Sequence, residues 1–194
     1  MDSNQFFHDL EIYRTPSVMK DYFESKRTEI LNQTELTQLA RLKIGKFKIF
    51  LEEFYPLYLL SQSDYVADDA EVRIVDGNQS YDGLIKSARG EISKVEFTEY
   101  LEGYWDNIDA KLLNARGYSD IRMRDKKDLK TRTDEFMDKI LNNASKKAKK
   151  DYRGVNIIIL VNTLEYLDIW GFDRQNFITK LIERLRGLDF QADS

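Results

Sequence analysis

The sequence predicts an α/β (α+β) fold, a mixed four-stranded sheet flanked by helices. Three observations lead there. Between residues 71 and 100, short segments of alternating apolar and polar residues are separated by turn-forming residues. Apolar residues at helical spacing dominate the segments before and after that block. A short β-branched run, Val155 to Val161, stands alone after a long helical stretch and reads as a buried strand.

Residues 1–30 are polar and charged, with aromatics at Phe6, Phe7, Tyr13, Tyr22 and Phe23, and read as one or two short helices. Asn32 and Glu35 have capping-box spacing, so a helix is expected from there. Leu36, Leu39, Ala40, Phe47, Phe50, Leu51 and Phe54 continue it, and Pro56 should end or kink it. Glu71 to Val75 reads as a strand, Asp76-Gly77-Asn78 as a turn and Tyr81 to Ile85 as a second strand. After a break at Ala88-Arg89-Gly90, Ile92 to Tyr100 reads as a third, with Val95 and Phe97 on one face and Lys94, Glu96 and Thr98 on the other.

Helices are expected over Tyr104 to Ala115 and Lys126 to Lys150. The second carries one apolar stripe through Leu129, Phe136, Met137, Ile140, Leu141, Ala144 and Ala148. A last helix begins at Asp173, buries Phe177, Ile178, Leu181, Ile182 and Leu185, and ends near Gly187. Short links make the first three strands antiparallel, while the long helical crossover allows the fourth to run parallel to the third. With two prolines and no linker or repeat, residues 1–194 read as one domain, a helical extension over 1–30 preceding a core over 34–185.

Composition restricts the chemistry. The 194 residues include no cysteine and one histidine. A disulfide framework, a Cys-ligated zinc or iron–sulfur site and a Cys nucleophile are excluded. So is a multi-histidine metal site within one chain. A Ser–His triad would have to use His8, in a polar N-terminal segment. Chemistry is left to carboxylates, lysines, hydroxyls and backbone. No apolar leader opens the chain, and Val155 to Val161 is far too short to span a bilayer. The expectation is a cytoplasmic protein with no membrane partner, in agreement with its lack of cysteine.

The net charge of -4 hides an asymmetry. Twelve Lys or Arg and six Asp or Glu fall between Arg122 and Arg153, a local net of +6 that leaves -10 for the rest of the chain. Lys126, Lys127, Lys130, Lys146 and Lys147 are the candidate contacts to a nucleic-acid backbone, because phosphates are met by Lys and Arg. The run Lys146-Lys147-Ala148-Lys149-Lys150 also suits a solvated helix C-terminus.

Two carboxylates stand out, Asp82 in Tyr81-Asp82-Gly83 and Glu96 in Val95-Glu96-Phe97-Thr98. A Glu within an apolar strand is costly to bury without a partner. If the two strands pair as a hairpin, both carboxylates can converge near one sheet end, where mutual repulsion raises one pKa. A divalent cation relieves the conflict, and Mg²⁺ typically takes one or two protein carboxylates, waters and phosphate. Each feature has a plainer reading. Asp82-Gly83 can be a turn dipeptide, Glu96 can face solvent from a one-sided sheet, and Glu52-Glu53 can lie on a solvated helix face.

The order helix, hairpin with Asp82, strand with Glu96, helix, strand resembles the PD-(D/E)xK nuclease-like (restriction-endonuclease-like) superfamily over roughly residues 34 to 185. That resemblance implies Asp82 and Glu96 as ligands of Mg²⁺ or Mn²⁺, with Glu52 or Glu53 on the preceding helix assisting. The chain departs from the pattern at Thr98, where the family has a lysine. Thr cannot supply the ammonium's electrostatic help. Lys111, Lys94 and Lys86 are the alternatives, with Lys111 and Lys94 the leading catalytic candidates beside Asp82 and Glu96. The functional expectation is a Mg²⁺-dependent nuclease hydrolysing phosphodiesters. The alternatives are a catalytically inactive nuclease-like fold that binds nucleic acid or protein, and an α/β interaction protein without metal.

Overall fold

A computed structural model describes residues 2–101, 103–119, 128–163, 172–188 and 190. The chain groups into two compact units, Met1–Glu96 with Glu102–Asp120, and Phe97–Leu101 with Ile121–Ser194.

The first unit contains α1 (Ser3–Phe6), α2 (Pro16–Asn32), α3 (Thr34–Arg41), α4 (Lys46–Ile49), a π-helical segment (Phe50–Phe54), α5 (Tyr55–Ser61), β1 (Glu71–Ile74), β2 (Gly83–Lys86), most of β3 (Ile92–Glu99) and α6 (Gly103–Arg116). Pro16 opens α2, where its missing N–H is one the helix would leave unpaired anyway. A helix does begin near Asn32, at Thr34, but Asn32 does not cap it. Asn32 is the last residue of α2, and one extended residue, Gln33 (φ -122°, ψ 115°), separates it from α3. The Thr37 hydroxyl donates to the Ile30 carbonyl at 2.7 Å, so the corner is tied by Thr37 rather than by an Asn32 cap.

Pro56 does not end the helix. With no N–H, it cannot donate to a carbonyl of the preceding turn. That turn widens instead, and the Tyr55 N–H reaches back five residues to the Phe50 carbonyl. The helix thus runs on to Ser61.

The core of this unit is aromatic, and the first residues of the chain belong to it. Phe6, Phe7, Phe47, Phe50 and Phe54 are buried. Phe7 sits 5.1 Å from Phe47 and 4.9 Å from Phe50 between ring centroids, and Phe50 lies 5.3 Å from Phe54. Such pairs add about 0.5–1.5 kcal/mol each beyond the area they bury. Arg14 is also buried. Its guanidinium donates to the carbonyls of Leu10, Ile12 and Asp9, faces the Asp9 carboxylate at 3.4 Å and stacks 3.8 Å from the Tyr22 ring centroid. Burial lowers the Arg14 pKa, opposed by the charges of Tyr22 and Asp9. The Arg14 backbone exchanges two hydrogen bonds with Val72, covering part of the outer edge of β1.

The second unit contains the end of β3, α7 (Leu129–Ala148), β4 (Val155–Leu160) and α8 (Arg174–Leu185). Asp128 caps α7 by accepting from the Thr131 N–H, and Asp173 caps α8 by accepting from Asn176. Phe136, Met137 and Ile140 of α7 pack on Phe177 and Leu181 of α8, with Phe136 and Phe177 stacked at 5.8 Å. These are the stripes read from helical periodicity.

The sheet is mixed and four-stranded, in the order β1-β2-β3-β4, as the sequence predicts. β1 pairs antiparallel with β2, and β2 with β3. Among the described residues, no helix is long and apolar enough to cross a membrane.

Candidate active site

The hairpin register sets Gly83 opposite Val95 and Leu84 opposite Lys94. Gly83 is required by space, because a Cβ there would lie 3.1 Å from side-chain atoms of both Leu57 and Val95. The Asp82 N–H donates to the same Val95 carbonyl at 2.8 Å, so two successive residues oppose one. That is a β-bulge, a device that re-aims a side chain at the end of a ladder. The Asp82 carbonyl meanwhile accepts from the Val75 N–H at 2.9 Å. The Gln79 amide holds the connection between β1 and β2, donating to the carbonyls of Val75 and Tyr81. Asp82-Gly83 is therefore not the turn dipeptide; the chain has reversed before it.

Glu96 is 7% exposed, so it does not face solvent from an open sheet. The Glu52-Glu53 pair divides its roles within the π-helical segment. Glu52 pairs with Lys43 at 2.9 Å and, more loosely, with Lys48 at 3.9 Å. Glu53 is half-buried and faces other carboxylates. Its pKa is pushed up to about 7, first by burial and then by the charges of Asp82, Asp76 and Glu96, with Lys48 opposing. Four carboxylates from the helical layer and the hairpin thus share one electrostatic neighbourhood. Carboxyl groups raised by burial and like charges are candidates for functional sites.

Two lysines that the sequence reading did not rank act in this neighbourhood, Lys48 on Glu53 and Lys46 on Asp76. Lys46 Nζ lies 3.9 Å from Asp76 Oδ2. Lys94 places its ammonium 5.2 Å from the centre of the Tyr81 ring. Lys86 is engaged by Glu71 at 2.9 Å, and this hydrogen bond raises its pKa. Lys111 is exposed on α6. Thr98, where the resemblance expects a lysine, is buried. In the basic segment, Lys130 and Lys146 are exposed, and Lys147 is half-buried with its ammonium 5.8 Å from the Tyr152 ring centre. Lys126 and Lys127 lie outside the described residues.

Sequence reasoning missed Asp76, Lys46 and Lys48. Asp76 was absorbed into a turn signal, and nothing in its local pattern says that it acts on Glu53. The lysines carry a weak signal, since Lys48 and Glu52 have the i,i+4 spacing of a helical ion pair.

Among the described residues, no group of three or more His, Asp or Glu side chains is arranged to hold a metal ion. A cation at this place would take one or two carboxylates and complete its shell with water and phosphate, the usual habit of Mg²⁺. Carboxylate oxygens such as those of Asp82 and Glu96 suit hard cations of the Mg²⁺ or Mn²⁺ kind rather than soft metals. A comparison with protein-family models, with curated proteins and with solved structures returns no match.

Proposed function

We infer that this chain hydrolyses phosphodiester bonds in nucleic acid, using a divalent cation held by Asp82 and Glu96 with help from Glu53. The observation that supports the reading is the position of Glu53, half-buried and subject to the charges of Asp82, Asp76 and Glu96, while Glu52 is neutralised by lysines. When bound, Mg²⁺ or Mn²⁺ supplies a water of lowered pKa and stabilises charge on the phosphate. The chain's own part is positional. The bulge aims Asp82, the π-helical segment carries Glu53 into range of the Asp82 and Glu96 charges, and Glu96 lies buried, where charges are less screened. In the reaction a water oxygen bonds to phosphorus, the ester oxygen leaves, and the water's proton passes through solvent to the leaving oxygen. A cytoplasmic setting belongs to the same reading, since the lack of cysteine fits a reducing compartment.

Thr98 favours a second reading, a non-catalytic module on the same fold, because a buried hydroxyl cannot do an ammonium's work. Cleavage of labelled single- and double-stranded DNA and RNA with Mn²⁺ separates the two. Hydrolysis that disappears in Asp82→Ala and Glu96→Ala supports the enzyme. Binding without turnover supports the module, and activity that survives Glu96→Ala refutes the assigned site.

A further inference from the structure

From Lys139 to Lys150 the chain carries five lysines and no acid. Lys139, Lys146, Lys149 and Lys150 are exposed. The acids nearest this segment have cationic partners: Asp138 pairs with Arg184 at 2.9 Å, and Asp151 with Arg153 at 2.7 Å. Cations in a last helical turn are favoured by the macrodipole. One or two suffice for that. Lys146 in the last turn, the cap Lys149 and Lys150 just beyond it crowd like charges about one helix end, where they repel. The end of α7 therefore carries more charge than helix stability rewards.

We propose that this end of α7 is a docking face for the phosphate backbone of nucleic acid, with Lys146, Lys149 and Lys150 as its contacts. Charge complementarity selects a polyanion. The apolar side chains of α7 select between polyanions, because Phe136, Met137, Ile140, Ala144 and Ala148 are buried. They leave no apolar anchor for the insertion by which an amphipathic helix holds a lipid surface. Asn142, exposed one turn before Lys146, adds a neutral donor suited to phosphate oxygens. Contacts to phosphate carry no sequence information, so binding through these lysines is indifferent to sequence. The proposal shares with the preceding section only the class of substrate, and it requires no metal.

Fluorescence anisotropy of the full chain with labelled DNA duplex, in EDTA, tests it across about 50–200 mM KCl. The expected result is salt-sensitive binding whose log–log slope shrinks by about 2–3 in K146Q/K149Q/K150Q, near 0.9 for each phosphate no longer neutralised. The melting point of that variant should equal or exceed wild type, since repulsion is removed; Lys146→Glu alone serves as a second variant and should weaken binding. EDTA removes the divalent cation from this assay, so binding is read independently of metal-dependent cleavage, and loss of the metal site and loss of the docking face are separate results. Absence of duplex binding by wild type, or an unchanged slope in the triple variant, overturns the proposal. Lysine-dependent capture by phosphatidylserine vesicles in place of duplex overturns it too.

Discussion

Replacing Glu53 with Gln keeps the shape of the side chain and removes its charge, and its effect on stability should depend on pH in one direction only. In the fold Glu53 titrates near pH 7 against an ordinary 4.5, because burial and the charges of Asp82, Asp76 and Glu96 disfavour its ionised form. Below about pH 4.5 the carboxyl is protonated in both folded and unfolded chains, and its ionisation costs nothing. Between the two values the unfolded chain releases a proton that the fold retains, so stability falls as pH rises. Above about pH 7 the cost is complete. At about 1.4 kcal/mol per pKa unit the ceiling is roughly 3 kcal/mol. Solvent screening of a half-buried group reduces this to about 1–2 kcal/mol. At about 2–4 °C per kcal/mol for a chain of this length, Glu53→Gln should melt roughly 2–8 °C above wild type at pH 8 and level with it at pH 4.5. Thermal melting followed by circular dichroism, with each variant paired to wild type at each pH, cancels the titration of the other acids. A gap of the same size at both pH values, or a variant less stable at pH 8, would refute the clustering of these carboxylates.

Other consequences follow from the same packing and pairing. Gly83→Ala should lower stability by about 1–3 kcal/mol, the usual cost of forcing a methyl into a filled space, since its Cβ would press on Leu57 and Val95; urea denaturation measures it. Arg14→Met should cost at least about 2 kcal/mol, because it strips donors from three carbonyls and leaves Asp9 without its cation; the midpoint of chemical denaturation should fall with an unchanged slope. Lys48→Gln should raise the Glu53 pKa further, since Lys48 is the cation that opposes the shift; an NMR titration of the Glu53 side-chain carbon would show a higher midpoint.

The sequence read well wherever periodicity alone decides. The alternation of Val72 and Ile74, the β-branched run ending in Leu160 and the stripes of α7 and α8 all depend on one face being apolar, and each element lies within a few residues of its expected place. It read poorly where one backbone group decides. Asn32 and Glu35 have the spacing of a cap, yet the corner is made by a single extended Gln33 and a hydroxyl bond from Thr37. Pro56 has the chemistry of a helix breaker, yet a widened turn accommodates it, and that same turn divides Glu52 from Glu53 in role. Asp82 and Glu96 stood out because a carboxylate in a strand is conspicuous. Asp76 did not, since an Asp in a turn is ordinary; Lys46 is distant in sequence from Asp76, and Lys48 shows only the ordinary i,i+4 spacing to Glu52.

The most direct test of the cation site is melting of wild type and Asp82→Ala with and without Mg²⁺ or Mn²⁺ at pH 8. A ligand that binds only the fold stabilises it by about 2.7 kcal/mol at a concentration one hundred times its dissociation constant. For a chain of this length that is a rise of roughly 5–11 °C. The expected result is a rise of that order in wild type and none in Asp82→Ala. No rise in wild type, or an equal rise in both, would contradict a divalent-cation site at Asp82.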